Sequence, residues 1–224
     1  MLFRSAAGDD AGGGLVAANA VNLSSASLEG GPVTPGALVT AFAQFEAKLA
    51  AGTEAAASAA WPMSLGGATV TVVDASGAAL PAQISYASPR QVNYRVPENA
   101  ALGLATVRFT AGGVTVPGAL HIVATYPGLF KVNVENGAAA QVARLRGGQV
   151  VYEPVTGPVT VGPAAEQAAL ILYGTGLGTA RDVTATIGGI DVPVAMLARR
   201  GLTPGWTRSI CRCRRVWRAG ARWT

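Results

Sequence analysis

A chain of 224 residues has room for one or two domains with a core in each, and half of its residues are hydrophobic against only 13% charged. That balance excludes a disordered chain, whose few apolar groups leave the entropy of folding uncompensated. The formal charge of +5 does not make the protein a nucleic-acid binder: residues 206–224 hold six arginines and no acid, and the rest carries eleven Lys and Arg against twelve Asp and Glu.

Frequent glycines (29) and prolines (13) suit short strands joined by tight turns, so the expected class is all-β. Residues 1–35 are rich in Ala, Gly and Ser and read as a linker leading into the domain, with one short strand near Leu15–Val21 and with 1–19 outside the first sandwich. The opening Met1-Leu2-Phe3-Arg4 is followed by small and acidic residues where an apolar segment is due, so no signal peptide is expected. Both cysteines, Cys211 and Cys213, lie in the basic tail, which leaves the redox compartment undecided.

Pro35-Gly36 signals a turn, and Ala37–Phe42 reads as the first secure strand. Gln44–Ala60 is Ala-rich; Phe45 and Leu49 stand four apart, which allows one short helix inside a long connection, with a plain loop as the alternative. Strands then follow at sandwich spacing: Thr69–Asp74, a Ser76-Gly77 turn, Ala79–Tyr86, a Ser88-Pro89 turn, Gln91–Val96, Ala105–Thr110 and Val114–Ala124. In Gln91–Val96 the alternation places Val92, Tyr94 and Val96 on one face and Gln91, Asn93 and Arg95 on the other. Pro97 ends that strand, because proline has no donor for the ladder.

Tyr126-Pro127-Gly128 marks a boundary. Further strands are expected at Leu129–Val134, Ala139–Leu145, Gln149–Tyr152, Ala168–Tyr173, Val183–Ile187 and Asp191–Leu197. The most apolar run, Ala164–Tyr173, is interrupted by Glu166 and Gln167, and it is far shorter than the roughly 20 residues of a spanning helix. No membrane span is expected.

Leu65-Gly66-Gly67 before one strand recurs as Ile187-Gly188-Gly189 before another, the mark of one structural unit used twice. In the first copy a proline turn and Gln-Val-Asn-Tyr-Arg-Val-Pro follow; in the second, Thr203-Pro204-Gly205 leads into residues 206–224, which show neither strand nor helix period. Reading the codons from the last base of the Gly205 codon yields Leu-Asp-Gln-Val-Asn-Leu-Pro-Val-Pro with ordinary wobble choices. The expectation is that 206–224 is out-of-frame translation. The competing expectation is a genuine basic tail that binds phosphates or a membrane surface. Sequencing the gene through codon 205 separates the two.

Motifs that carry chemistry are few. Tyr173-Gly174-Thr175-Gly176-Leu177-Gly178 follows a strand, but a dinucleotide loop needs a helix to open there, and Val183–Ile187 reads as a strand; a sandwich turn is the better account. His121, the only histidine, alternates with apolar neighbours on a strand, and no nucleophile-elbow motif accompanies it. Cys211 and Cys213 with one histidine fall short of a structural zinc site. Asp74, Glu98, Asp182 and Asp191 are scattered over strand ends and turns, without the oxygen density of a calcium loop. No catalytic, cofactor-binding or metal residue is nominated, and no cofactor is expected.

Pro35-Gly36-Ala37-Leu38-Val39-Thr40, Leu65-Gly66-Gly67, Ser88 to Pro97, Tyr126-Pro127-Gly128-Leu129-Phe130, Leu172 to Gly178 and Ile187-Gly188-Gly189 fall in an order that resembles the Solibacter-type uncharacterised C-terminal domain. That family sits at the ends of large secreted or surface proteins of acidobacteria. The resemblance spans about residues 20–205, and each half is similar to an IPT/TIG-type immunoglobulin-like sandwich. It implies an accessory or terminal module of an exported protein, in a family with no established enzyme activity. The missing in-frame Gln-Val-Asn strand and the lack of a leader or upstream domain then imply a fragment of a disrupted gene.

The expected architecture is therefore two tandem antiparallel immunoglobulin-like β-sandwiches, at 20–125 and 126–205, the second incomplete at its C-terminus. The expected function is a non-catalytic extracellular or cell-surface module for spacing, adhesion or ligand contact, with an unknown protein or glycan as partner. The runner-up is a carbohydrate-binding accessory domain of a secreted hydrolase, although Trp61, Tyr86, Tyr94 and Tyr126 are a sparse aromatic set and Tyr94 reads as core. An enzyme ranks third, and nucleic-acid binding through the arginine tail fourth.

Overall fold

The computed structural model describes residues 2–3, 16–17, 19–132, 137–157, 159, 167–176, 183–187, 190–197 and 207–213. Among them every regular element is a strand, so the chain is all-β. It divides into two compact units: 1–128 with 175–179 and 201–206, and the remainder.

With two-residue strands beside them, seven strands of five residues or more build the wall of the first unit: β1 (Ala20–Ser24), β2 (Leu38–Ala43), β3 (Ala68–Val73), β4 (Ala79–Ala87), β5 (Gln91–Arg95), β6 (Gly103–Ala111) and β7 (Val114–Ile122). They stand close to where the alternation puts them, but they do not form two separate sheets. The order β4-β5-β2-β1-β7-β6-β3 returns to β4, so the sheet closes into a seven-stranded barrel.

The closure has two corners. At one, β4 changes partner along its length: Ala79–Ala82 pairs with β3, and Gln83–Ala87 pairs with β5 across an irregularity between Ile84 and Tyr86. A strand that bends at a bulge passes from one sheet to the next, which turns a sandwich edge into a barrel wall. At the other corner β7 runs parallel to β1 through Gly118 and Ala20. A ring of antiparallel neighbours alternates direction and so needs an even number of strands. Seven strands require a parallel pair, and this seam supplies it.

The seam is held by few backbone bonds: Asn19 N to Pro117 O at 3.0 Å, Val33 N to His121 O at 2.9 Å and Val123 N to Val33 O at 2.8 Å. Asn22 completes it. Its Nδ2 donates to Ala119 O at 3.1 Å, and its Oδ1 accepts from the Tyr94 hydroxyl at 3.0 Å. A Cβ at Gly118 would lie 2.6 Å from Asn22 Nδ2, so the residue that lets β7 approach β1 has to be glycine.

Inward-facing positions alternate as the strands dictate. Val92, Tyr94 and Val96 are buried, and they meet Val70, Val72, Val107 and Phe109 in one cluster. The Tyr94 and Phe109 rings pack edge to face, centroids 5.8 Å apart. Burial pushes the Tyr94 phenol well above its ordinary pKa. Side chains thus fill the interior, as expected of a barrel of this strand number. A ligand has to be met outside it.

The short helix allowed in Gln44–Ala60 does not form. Its backbone donors go to other segments instead: Leu49 N to Pro89 O at 2.9 Å, and Ala51 N and Gly52 N to Gly66 O at 3.0 Å. Phe45 and Leu49, four apart, meet opposite fates, one 79% exposed and the other fully buried. Gly66 sits at φ +57, where a Cβ would come 2.7 Å from Gly52 O, which is the physical content of the Gly66-Gly67 pair.

The second unit contains β8 (Ala140–Arg146), β9 (Gln149–Pro154), β10 (Gln167–Thr175), the hairpin β11 (Ala185–Ile187) with β12 (Ile190–Val192), β13 (Val194–Leu197) and β14 (Thr207–Cys213). The main sheet runs β9-β8-β10-β14-β13. Of the strand expected at Leu129–Val134, only Gly128–Leu129 is a strand, and 133–136 lie outside the described residues. Pro193 divides the single strand expected at Asp191–Leu197 into two. Thr207–Cys213, where no strand is expected, pairs with β10 and β13, as β5 pairs with β2 and β4. Strand pairing uses backbone groups, so this placement needs no alternation of side chains.

Candidate functional site

The residues weighed for chemistry in the sequence do not converge. His121 is exposed on β7, and its carbonyl serves the barrel seam. Asp74 is tied into the β3–β4 turn: Oδ1 accepts from Ser76 N at 2.9 Å, Ser76 Oγ at 2.6 Å and Ala78 N at 3.1 Å, and Oδ2 from Ala101 N at 2.8 Å. Those bonds, led by the one from Ala101, hold its carboxyl below the usual value. Glu98 pairs with Arg95 at 3.5 Å, and Asp191 is exposed on β12. Asp182 lies outside the described residues, and Cys211 and Cys213 are described only as part of β14. Among the described residues no three His, Cys, Asp or Glu side chains gather as a metal site would require, and no helix is long and apolar enough to cross a membrane.

The glycine loop at the end of β10 is engaged by the protein itself. Thr175 Oγ1 accepts from Leu38 N at 3.0 Å, and Gly176 O accepts from Tyr126 N at 3.0 Å. Leu177 and Gly178 lie outside the described residues.

A site that the sequence did not announce lies on the first unit. The segment from Gln44 to Ala51 leaves β2 and is tied to the Gly66-Gly67 turn through Ala51 N and Gly66 O. Ala47 N donates to Gln44 O at 3.1 Å and closes a four-residue turn with Phe45 in its second position at φ +51. Turns with a positive φ there favour Gly, Asn or Asp; a bulky aromatic in that conformation is a genuine outlier.

The strain cannot relax, because the loop is pinned on both sides of Phe45. Gln44 N donates to Asn19 O at 2.8 Å, Leu49 N is held by Pro89 O, and Arg90 Nη1 donates to Phe45 O at 2.5 Å. Arg90 is itself placed by Ala43 N, which donates to the Arg90 carbonyl at 2.9 Å. The most distinctive stretch of the sequence, Ser88 to Pro97, therefore poses Phe45 as well as building β5. Among the described residues Leu28 is the other non-glycine residue with a positive φ, and it too is exposed.

Beside Phe45 lies a cleft of about 660 Å³, within the usual size of a small-molecule site. One wall is the 44–51 loop; the other is the β6–β7 hairpin, whose Gly112-Gly113 turn has both φ values positive. Phe45 and Val114 are 79% and 64% exposed at its mouth. Asn19, Gln44 and Thr115 give it amide and hydroxyl groups, while Glu46 and Lys48 contribute one charge of each sign. No histidine, cysteine, serine or aspartate lines it. The arrangement offers shape, an aromatic plane, hydrogen-bonding groups and one charge of each sign.

The sequence signal that misled is the Phe45–Leu49 spacing, which reads as one apolar face. A lone aromatic between Gln44 and Glu46 in a connection was the available cue. No protein-family model, no curated protein and no solved structure matches the chain.

Proposed function

We propose that the chain is a non-catalytic binding module of an exported or cell-surface protein, with the first unit as a rigid carrier and the Phe45 cleft as its ligand contact. The observation that carries this reading is Phe45: an exposed aromatic, in a left-handed conformation, clamped by Arg90 beside a cleft. A side chain kept strained and out of the core does nothing for folding, and strain of this kind concentrates at binding sites. The exposed aromatic plane and the neutral amide and hydroxyl groups beside it support a binding role. The extracellular setting rests on the resemblance of the 35–40, 65–67 and 88–97 motifs to the exported C-terminal domains.

On this reading the barrel is an immunoglobulin-like sandwich whose sheets β3-β6-β7 and β5-β2-β1 have been joined at two corners, and the second unit is a partial relative of it. For residues 206–224 the reading is an out-of-frame origin, which sequencing the locus through codon 205 tests.

The test is an amide-shift titration of the full chain with a panel of small saccharides, short peptides and aromatic fragments. Shifts are expected to cluster at Gln44–Ala51 and Ala111–Val116. Shifts confined to other surfaces would remove the reading.

A further inference from the structure

We propose that the Phe45 cleft takes a neutral saccharide, one pyranose ring lying against the Phe45 face; the inference rests on the binding role assigned to that cleft above. The alternatives fail on geometry. A peptide added as a strand needs an unpaired sheet edge several residues long; at the cleft Thr106–Ala111 of β6 is paired on both sides, and the open edge of β7 is only the short stretch Val114–Val116 before its pairing with β1 at Gly118. An amphipathic helix needs a groove several turns long with anchors at helical spacing, whereas the large exposed apolar side chains of the lining are two, Phe45 on the loop and Val114 on the hairpin. A charged ligand is not selected, because Glu46 and Lys48 cancel.

A neutral sugar fits what remains. Its ring has an apolar C–H face, which stacks on the flat face of an aromatic, and a rim of hydroxyls that both donate and accept. Phe45 supplies the face. The amides of Asn19 and Gln44 and the hydroxyl of Thr115 supply donors and acceptors without charge. Short side chains, Ala47, Ala50 and Ala111, leave room along the walls, and the clamp from Arg90 fixes the platform before the ligand arrives.

The same observations separate a ligand platform from a structural residue. Asn accepts the left-handed conformation that Phe45 is forced into, so Phe45→Asn removes the ring and the strain together. Four neutral hexasaccharides, those of β-1,4-glucose, β-1,4-xylose, β-1,4-mannose and β-1,4-N-acetylglucosamine, are titrated by calorimetry into the full chain and its Phe45→Asn and Phe45→Trp variants. The expected result is binding of at least one by the wild type, weakened about tenfold or more in Phe45→Asn and kept in Phe45→Trp. The melting temperature of Phe45→Asn should be equal to or above that of the wild type.

Binding that Phe45→Asn leaves unchanged, or no binding of any of the four, overturns the inference. Panning a displayed peptide library on the same chain distinguishes the two failures. Peptides whose binding is lost in Phe45→Asn would leave a binding module with a different ligand, whereas neither saccharide nor peptide at Phe45 would remove both.

Discussion

Two side chains of the first unit sit in surroundings that oppose their chemistry. Phe45 is 79% exposed, and Thr34 is 1% exposed with no partner for its hydroxyl among the described residues. The second is a cost without a visible return: burying an unsatisfied hydroxyl opposes folding by about 1–3 kcal/mol. Thr34→Val keeps the shape and deletes the group, and it should raise stability by about 1 kcal/mol, read as a higher urea midpoint at an unchanged slope. Phe45→Asn should also stabilise, by roughly 1 kcal/mol, since a non-glycine residue held in a sparse region of backbone space costs about 1–3 kcal/mol. The turn next to Thr34 was legible, because Pro35 followed by Gly36 at φ +76, closed by Ala37 N to Thr34 O at 3.0 Å, is written in two letters. The exposure of Phe45 was not. Whether an apolar residue faces the core or the solvent depends on which distant carbonyls its neighbours' amides find, here those of Asn19 and Pro89.

The strands themselves were legible, since alternation is local: Val92 and Tyr94 inward, Gln91 and Asn93 outward, with Ser88 capping the turn before them through its bonds to Gln91. Barrel closure was not, because it rests on the partner change within β4 and on a parallel seam between strands almost a hundred residues apart. That seam can be tested as one coupled object. Asn22→Ala leaves the buried Tyr94 hydroxyl without its acceptor, at about 1–3 kcal/mol. Gly118→Ala drives a methyl toward Asn22 Nδ2 and should cost about 1–3 kcal/mol as overpacking. In the double variant the methyl enters space that the amide has vacated, so the combined loss should fall short of the sum by more than about 0.5 kcal/mol. Additive losses in denaturant unfolding would mean that Asn22 and Gly118 do not share the seam.

Across the whole molecule, with its small net charge outside the tail, pH acts through particular carboxylates, and among the described residues each unit has one held below its ordinary value. In the first it is Asp74, caged by the Ala101 amide, the Ser76 hydroxyl and two further amides. In the second it is Glu153, lowered chiefly by Arg144, whose Nε donates to Glu153 Oε2 at 2.8 Å, and assisted by Arg146 at 3.0 Å. A carboxylate with a folded pKa below its unfolded one binds protons more weakly in the folded state. Its contribution is complete above the unfolded values, near 3.8 for Asp and 4.5 for Glu, and is lost as pH falls through the folded values. Melting temperature should therefore stay level down to about pH 5 and decline below it. Asp74→Asn distinguishes this cause from general acid swelling. The amide keeps one acceptor oxygen but turns an N–H₂ group toward either Ala101 N or the Ser76 and Ala78 donors, so the first unit melts lower at neutral pH. With no titrating carboxylate left at the turn, its melting temperature also loses most of its acid decline, while that of the second unit keeps its own. If Asp74→Asn and wild type declined in parallel below pH 5, the acid sensitivity of the barrel would lie in other groups, and the turn cage would contribute by shape alone.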